Sequence, residues 1–143
     1  MKKITAETLV KAPLATVWDA WSSPADIEQW NSPSDDWHTT RSEVDLREGG
    51  RFLSRMEAKD GSAGFDFEGT YTRVVPKETI EYRMSDGREV RVEFLERPDG
   101  TVVRSTFDPE SENPADMQQA GWQAISDNFG RHVESKDAGE RRS

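Results

Sequence analysis

From Trp37 to Asp108 the chain runs as short apolar–polar alternations cut by glycine turns, and only one long amphipathic pattern follows. Alternation of period two predicts strands with one face inward and one outward. Trp37–Leu46 reads as one such strand. Gly49–Gly50 turns the chain, because adjacent glycines accept positive φ without steric cost. Phe52, Ser54 and Met56 then share a face, and Asp60–Gly61 marks a hairpin. Phe65, Phe67, Gly69 and Tyr71 share the next face, which Val75–Lys77 ends. Ile80, Tyr82 and Met84 follow, then the turn Asp86–Gly87, then Val90, Val92 and Phe94. After Pro98–Gly100 the series closes on Val103, Ser105 and Phe107. With an earlier alternation at Ile4–Val10, this predicts a curved antiparallel meander of six or seven strands, an α+β architecture.

The helical patterns are few. Pro13 breaks the first strand, and Leu14, Val17, Trp18 and Trp21 recur at helical spacing. Ser23, Pro24 and Asp26 form a start signal for a second short helix carrying Ile27 and Trp30. Asn31–Asp36 reads as a loop. Near the end, Asn113 is the expected cap, Pro114 the first helical position and Asp116 the acid of the first turn. Met117, Gly121, Trp122, Ile125, Phe129, His132 and Val133 make an apolar stripe, predicting a helix from about Pro114 to Val133, roughly 20 residues and 30 Å long. The polar stretch 136–143 is expected to be disordered, which leaves a single domain over 1–135.

A sheet of this size twists and curls. One helix laid across its concave side cannot fill the hollow, and two short helices close only one end. The expected result is an apolar pocket.

Composition narrows the partners. A chain of 143 residues can bury about 70% of its unfolded surface without staples. The net charge of −9 argues against nucleic acid and anionic membranes, both of which need a basic surface. No cysteine is present, which removes disulfide and thiolate chemistry. Two histidines far apart give no His-based metal set. The N-terminal MKKITAETLV has no apolar block of the signal-peptide or membrane-spanning kind, so a cytoplasmic monomer is expected.

The segments VKAPLATVWDAWSSPADIEQW, VDLREGGRF, DGSAGFDFEGTYTRVVPKETIEYRM and GWQAISDNF together resemble the pollen-allergen/START-like (SRPBCC) superfamily. Within it they look most like the domains named after the activator of heat-shock protein 90 ATPase, the Aha-like family. The resemblance spans the whole chain. It implies a helix-grip (START-like) fold, with the sheet wrapped around the C-terminal helix and a hydrophobic cavity between them. Members of the superfamily include lipid and polyketide binders and cyclases. The chaperone activators carry a further N-terminal domain that contacts the chaperone, and this chain leaves no room for one beside the domain read here.

The candidate cavity residues are Trp30, Trp37, Phe52, Met56, Phe67, Tyr71, Tyr82, Met84, Phe94, Phe107, Met117, Gly121, Trp122 and Ile125. Methionine and aromatic side chains suit flat apolar ligands. Gly121 costs a mid-helix position roughly 0.5–1 kcal/mol relative to Ala, as it would where a strand or ligand comes close. Trp122 is expected to point toward Tyr71, Tyr82 or Phe94. The polar anchors are few, a Tyr hydroxyl or Ser105. His38 is expected on the surface and His132 in a structural role. Asp66 and Glu68 fall on the face opposite Phe65 and Phe67, so they are no glycosidase-type acid pair. Asp45 and Arg47 are expected to brace the Gly49–Gly50 turn.

These residues point to a non-catalytic binder of a hydrophobic, ring-containing or lipid-like small molecule, with no cofactor, metal or inserted membrane segment. Two alternatives remain: a cyclase- or hydrolase-type enzyme using the same cavity, and a chaperone-associated interaction module. For the last, the expected outcome is no appreciable stimulation of heat-shock protein 90 ATPase. Several-fold activation by micromolar protein in a turnover assay is the contrary result.

Overall fold

β1 (Ile4–Val10) and β2 (Trp37–Val44) are consecutive strands, yet they form opposite edges of one seven-stranded sheet. Between them the order is β7 (Gly100–Phe107), β6 (Glu89–Arg97), β5 (Thr79–Met84), β4 (Gly64–Val75) and β3 (Arg51–Ala58). Every neighbouring pair is antiparallel. The connection from β1 to β2 crosses one end of the sheet as α1 (Leu14–Ser22) and α2 (Pro24–Trp30). The computed structural model describes residues 3–32, 35–111 and 113–142, without the side chains of 137–142. Pro33 and Ser34 of the expected loop, and Ser143, lie outside the described residues.

The turn chemistry reads as the sequence predicts. Gly49, Gly61 and Gly87 all take positive φ. Arg47 Nε lies 2.9 Å from Asp45 Oδ2, and Gly49 N–H reaches the Tyr71 carbonyl at 2.8 Å, so the braced turn is tied to β4. Ser23 caps α2 by accepting the Asp26 N–H, with Pro24 in the first turn. β2 ends at Val44, two residues before the expected Leu46.

Gly69 is a position where only glycine fits. A Cβ there would stand 2.5 Å from the Arg83 carbonyl oxygen and 3.0 Å from the Phe52 ring. The missing side chain is the hollow into which the Phe52 ring settles. There it meets Tyr82 edge-on at 4.7 Å and Tyr71 at 5.3 Å.

The last helix, α3, spans Ala115–Arg142. It begins one residue after Pro114, whose carbonyl accepts the N–H groups of Met117 and Gln118. Asn113 does not cap it with its side chain; its carbonyl instead accepts from Gln118 Nε2 at 2.7 Å. The helix also runs past Val133, where the apolar stripe stops, so the stretch expected to be a tail continues it. As far as Lys136 the reason is tertiary. Lys136 Nζ reaches Asp26 Oδ1 and Oδ2 at 3.0 and 3.1 Å, and His132 Nε2 lies 2.8 Å from Oδ1. Asp26, buried at the start of α2, thus anchors the second half of α3. No described helix is long and apolar enough to cross a membrane.

α3 also closes a sheet edge. β1 pairs with β7 on one side only, leaving backbone groups free on the other. The Gln123 amide donates to the Glu7 carbonyl at 2.8 Å and accepts the Glu7 N–H at 3.3 Å. Glu134 accepts the Lys11 N–H at 2.9 Å, and Gln119 reaches the Thr5 carbonyl. On the opposite edge, Glu28 of α2 accepts the Ser42 N–H at 3.3 Å. Edge strands left bare invite pairing with other chains; here helix side chains occupy groups on both.

Two outcomes are expected. Gly69→Ala forces the strand or the Phe52 ring to move and should cost about 1–3 kcal/mol in chemical denaturation. Burial raises the Asp26 carboxyl, but its bonds to His132 and Lys136 outweigh this and hold it below the usual range. The stabilisation is therefore complete above the unfolded value of about 3.9 and is lost as pH falls through the lower folded value. Asp26→Asn should cost about 1–3 kcal/mol at neutral pH. Its stability gap from the parent should close as unfolding is measured down to pH 3 and below.

Candidate functional site

The concave face carries the inward row of every strand, and its middle is hollow. A cavity of about 320 Å³ lies between the sheet and α3. Its walls come from five strands and all three helices. β3 supplies Phe52, Ser54 and Met56, β4 supplies Phe65, Phe67 and Tyr71, and β5 supplies Ile80 and Tyr82. Val44 of β2 and Ser105 of β7 complete the sheet side. α3 contributes Gln118, Gly121, Trp122, Ile125 and Ser126, while Trp21, Ile27, Trp30 and Asn31 close the end held by α1 and α2. Phe65 is 47% exposed, so the lining reaches the surface at the start of β4.

The closed end is an aromatic block. Trp21 and Trp30 pack at 4.8 Å, and each meets Phe129 of α3 at 4.9 Å. Trp30 also donates its indole N–H to the Ala20 carbonyl at 3.1 Å, so its orientation is fixed. Aromatic pairs of this kind contribute about 0.5–1.5 kcal/mol each beyond area burial.

Of the residues singled out in the sequence, Trp30, Phe52, Met56, Phe67, Tyr71, Tyr82, Gly121, Trp122 and Ile125 come together in the lining. Trp37, Met84, Phe94, Phe107 and Met117 do not. Phe94 is occupied by α1, edge-on to Trp18 at 5.1 Å. Phe107 is covered by Trp122, stacked on it at 4.0 Å. Met84 is buried in the core. Trp37 sits behind Phe65 at 5.8 Å, and Met117 is 60% exposed in the first turn of α3. Trp122 faces the sheet as expected, but its neighbours are Phe107 and Phe67, not Tyr71, Tyr82 or Phe94.

Other lining residues lie outside the expected set, although the sequence pattern places them beside it. Ser54 alternates with Phe52 and Met56, and Phe65 with Phe67, so each shares its neighbours' face. Ser126 follows Trp122 by one helical turn. Trp21 and Ile27 belong to the short helices that were expected to close the end. Gly121 has nothing within 4 Å of where a Cβ would stand, so this glycine borders open cavity and not an approaching strand.

Both tyrosine phenols are held protonated. Burial pushes Tyr82 up, helped by Tyr71 and opposed by Arg88; burial pushes Tyr71 up as well, with the Asp45 charge adding to it. They are the titratable groups among the described lining residues. His38 is half-buried on β2 opposite Glu57, and His132 is committed to Asp26. On the convex face, Asp66 pairs with Arg55 at 3.3 Å, and Glu68 lies 4.0 Å from Arg51. Among the described residues no three His, Asp or Glu side chains are grouped to hold a metal.

The family model described as "Activator of Hsp90 ATPase homolog 1-like protein" matches residues 11–134. An AHSA1-like protein from Aeromonas hydrophila, solved in solution, is 52% identical; the match covers 96% of this chain and 94% of that one, with a TM-score of 0.89. A protein from Cytophaga hutchinsonii, also solved in solution, is 44% identical over 94% of this chain and 93% of its own, with a TM-score of 0.81. A crystal structure from Nitrosomonas europaea shares the fold alone: 17% identity, 95% and 96% coverage, TM-score 0.81. No curated protein matches the chain. The sheet, the gripped helix and the match along most of its length lead to one conclusion: the chain belongs to the Activator of Hsp90 ATPase homolog 1-like family.

Proposed function

We propose that the protein binds a hydrophobic, ring-containing small molecule in the cavity between the sheet and α3. The observation that carries this reading is the cavity itself. At about 320 Å³ it exceeds the lower bound for ligand sites, roughly 300 Å³. Its wall of Trp, Phe, Tyr and Met side chains offers flat, adaptable apolar surface. A ligand hiding ~300 Å² of apolar surface gains about 7–8 kcal/mol before the costs of association. Before those costs this corresponds to a Kd of a few micromolar, so micromolar affinity is the upper limit for apolar burial alone. Binding is favoured over acid–base catalysis because the titratable groups of the described lining are phenols held protonated.

Gly121→Leu tests the reading with opposite signs in two measurements. The new side chain enters open space and replaces a poor helix former, so stability should rise by about 0.5–1 kcal/mol. The same side chain fills the cavity. A panel of flat aromatic compounds that quenches Trp fluorescence or shifts α3 amide resonances in the parent should do neither in Gly121→Leu. If no compound perturbs the parent protein, the binding reading fails.

A further inference from the structure

We propose that the cavity holds an uncharged ligand whose hydroxyl or carbonyl oxygen docks between Ser105 of β7 and Ser126 of α3. The inference rests on the binding reading above and adds the polar half of the ligand.

α3 runs parallel to β1, since Gln119, Gln123 and Glu134 reach Thr5, Glu7 and Lys11 in turn. β1 is antiparallel to β7, so α3 and β7 run in opposite senses. Trp122 stacks on Phe107 at 4.0 Å and fixes the register between them. From that contact, four residues forward along α3 is about 6.0 Å and leads to Ser126. Two strand residues backward is about 6.8 Å, in the same direction, and leads to Ser105. Ser126 and Ser105 therefore lie on the same side of that contact, one on α3 and one on β7, and both residues line the cavity.

Both are deeply placed, Ser105 at 1% and Ser126 at 3% exposure, and both residues line the cavity. Neither hydroxyl has a hydrogen-bond partner among the described residues, and neither is sealed in protein as Ser42 Oγ is, so both face the open space. A buried hydroxyl without a partner is costly, and one that meets a ligand oxygen removes that cost on binding. Gln118, the α3 amide in the described lining, is spent on Glu110 and Asn113. The described lining supplies no cation and no carboxylate, so an ionised ligand would bury its charge uncompensated. The chemistry selected is a neutral planar body with a hydrogen-bonding oxygen at the end facing β7.

Three probes of one shape separate the elements of this proposal by calorimetry at neutral pH: 2-naphthol, 2-methylnaphthalene and 2-naphthoate. The parent protein should bind 2-naphthol about fivefold more tightly than 2-methylnaphthalene, the size of one net hydrogen bond. It should bind 2-naphthoate at least about tenfold more weakly than 2-naphthol. The double variant Ser105→Ala/Ser126→Ala should fold, since its hydroxyls have no protein partner to lose, and should bind 2-naphthol and 2-methylnaphthalene alike. A preference for 2-naphthol that is missing in the parent, or that survives in the double variant, overturns the oxygen site. Tight binding of 2-naphthoate overturns the requirement for a neutral ligand. Either result leaves the binding reading standing, because apolar probes still bind. If neither 2-naphthol nor 2-methylnaphthalene binds the parent, the binding reading falls and this inference with it.

Discussion

Gln123 holds both backbone groups of Glu7, and through that clamp the long helix lies along the margin of the sheet instead of over its centre. The margin position is what leaves space. Strands β3, β4 and β5 curl toward a helix that is displaced from them, and the gap is spanned only by large side chains. Trp122 reaches Phe107 and Phe67; Phe52 leans over Gly69 toward Tyr82. A helix centred on the sheet would have met those rings directly and packed the interior solid.

The Asp26 anchor works with the Gln123 clamp. One fixes α3 to β1, the other fixes its second half to α2, and the aromatic block of Trp21, Trp30 and Phe129 fills the corner between them. The cavity is thus bounded by a rigid corner at one end and by the exposed Phe65 at the other. The outer face contributes differently. There Arg55 lies between Glu57 and Asp66, and Glu81 between Arg73 and Arg91. Exposed pairs of this kind are worth little singly, about 0–1 kcal/mol each. They account for the high content of charged residues and keep the convex surface polar.

Much of this was legible because local chemistry specified it. Alternation placed Phe52, Met56, Phe67, Tyr71 and Tyr82 on the inner face, and Gly49, Gly61 and Gly87 turned the chain where glycine was required. What was not legible depended on partners distant in sequence. Nothing near Lys136 announces that the helix continues, because Asp26, 110 positions away, is the reason it is held. Alternation likewise cannot say which inward ring borders empty space. Phe94 and Phe107 share the pattern of Tyr82, but α1 covers the first and Trp122 the second. Ser105 is legible as a polar anchor, but Ser54 is not, for a related reason. On a strand face a small polar residue reads as a gap between aromatics, and only the hollow itself gives it a role.

The clamp between Glu7 and Gln123 joins positions 116 apart. Closing a loop of that length costs chain entropy, and the contact cannot form before Gln123 has been synthesised. During synthesis every strand leaves the ribosome before α3 does. Until the helix emerges, the nascent sheet presents an uncovered apolar concavity and an unguarded β1 edge, the two surfaces most prone to wrong association. The hazardous interval in the life of this protein is therefore the last stage of its translation, and a chain halted before Gln123 would be exposed to aggregation for as long as it persisted.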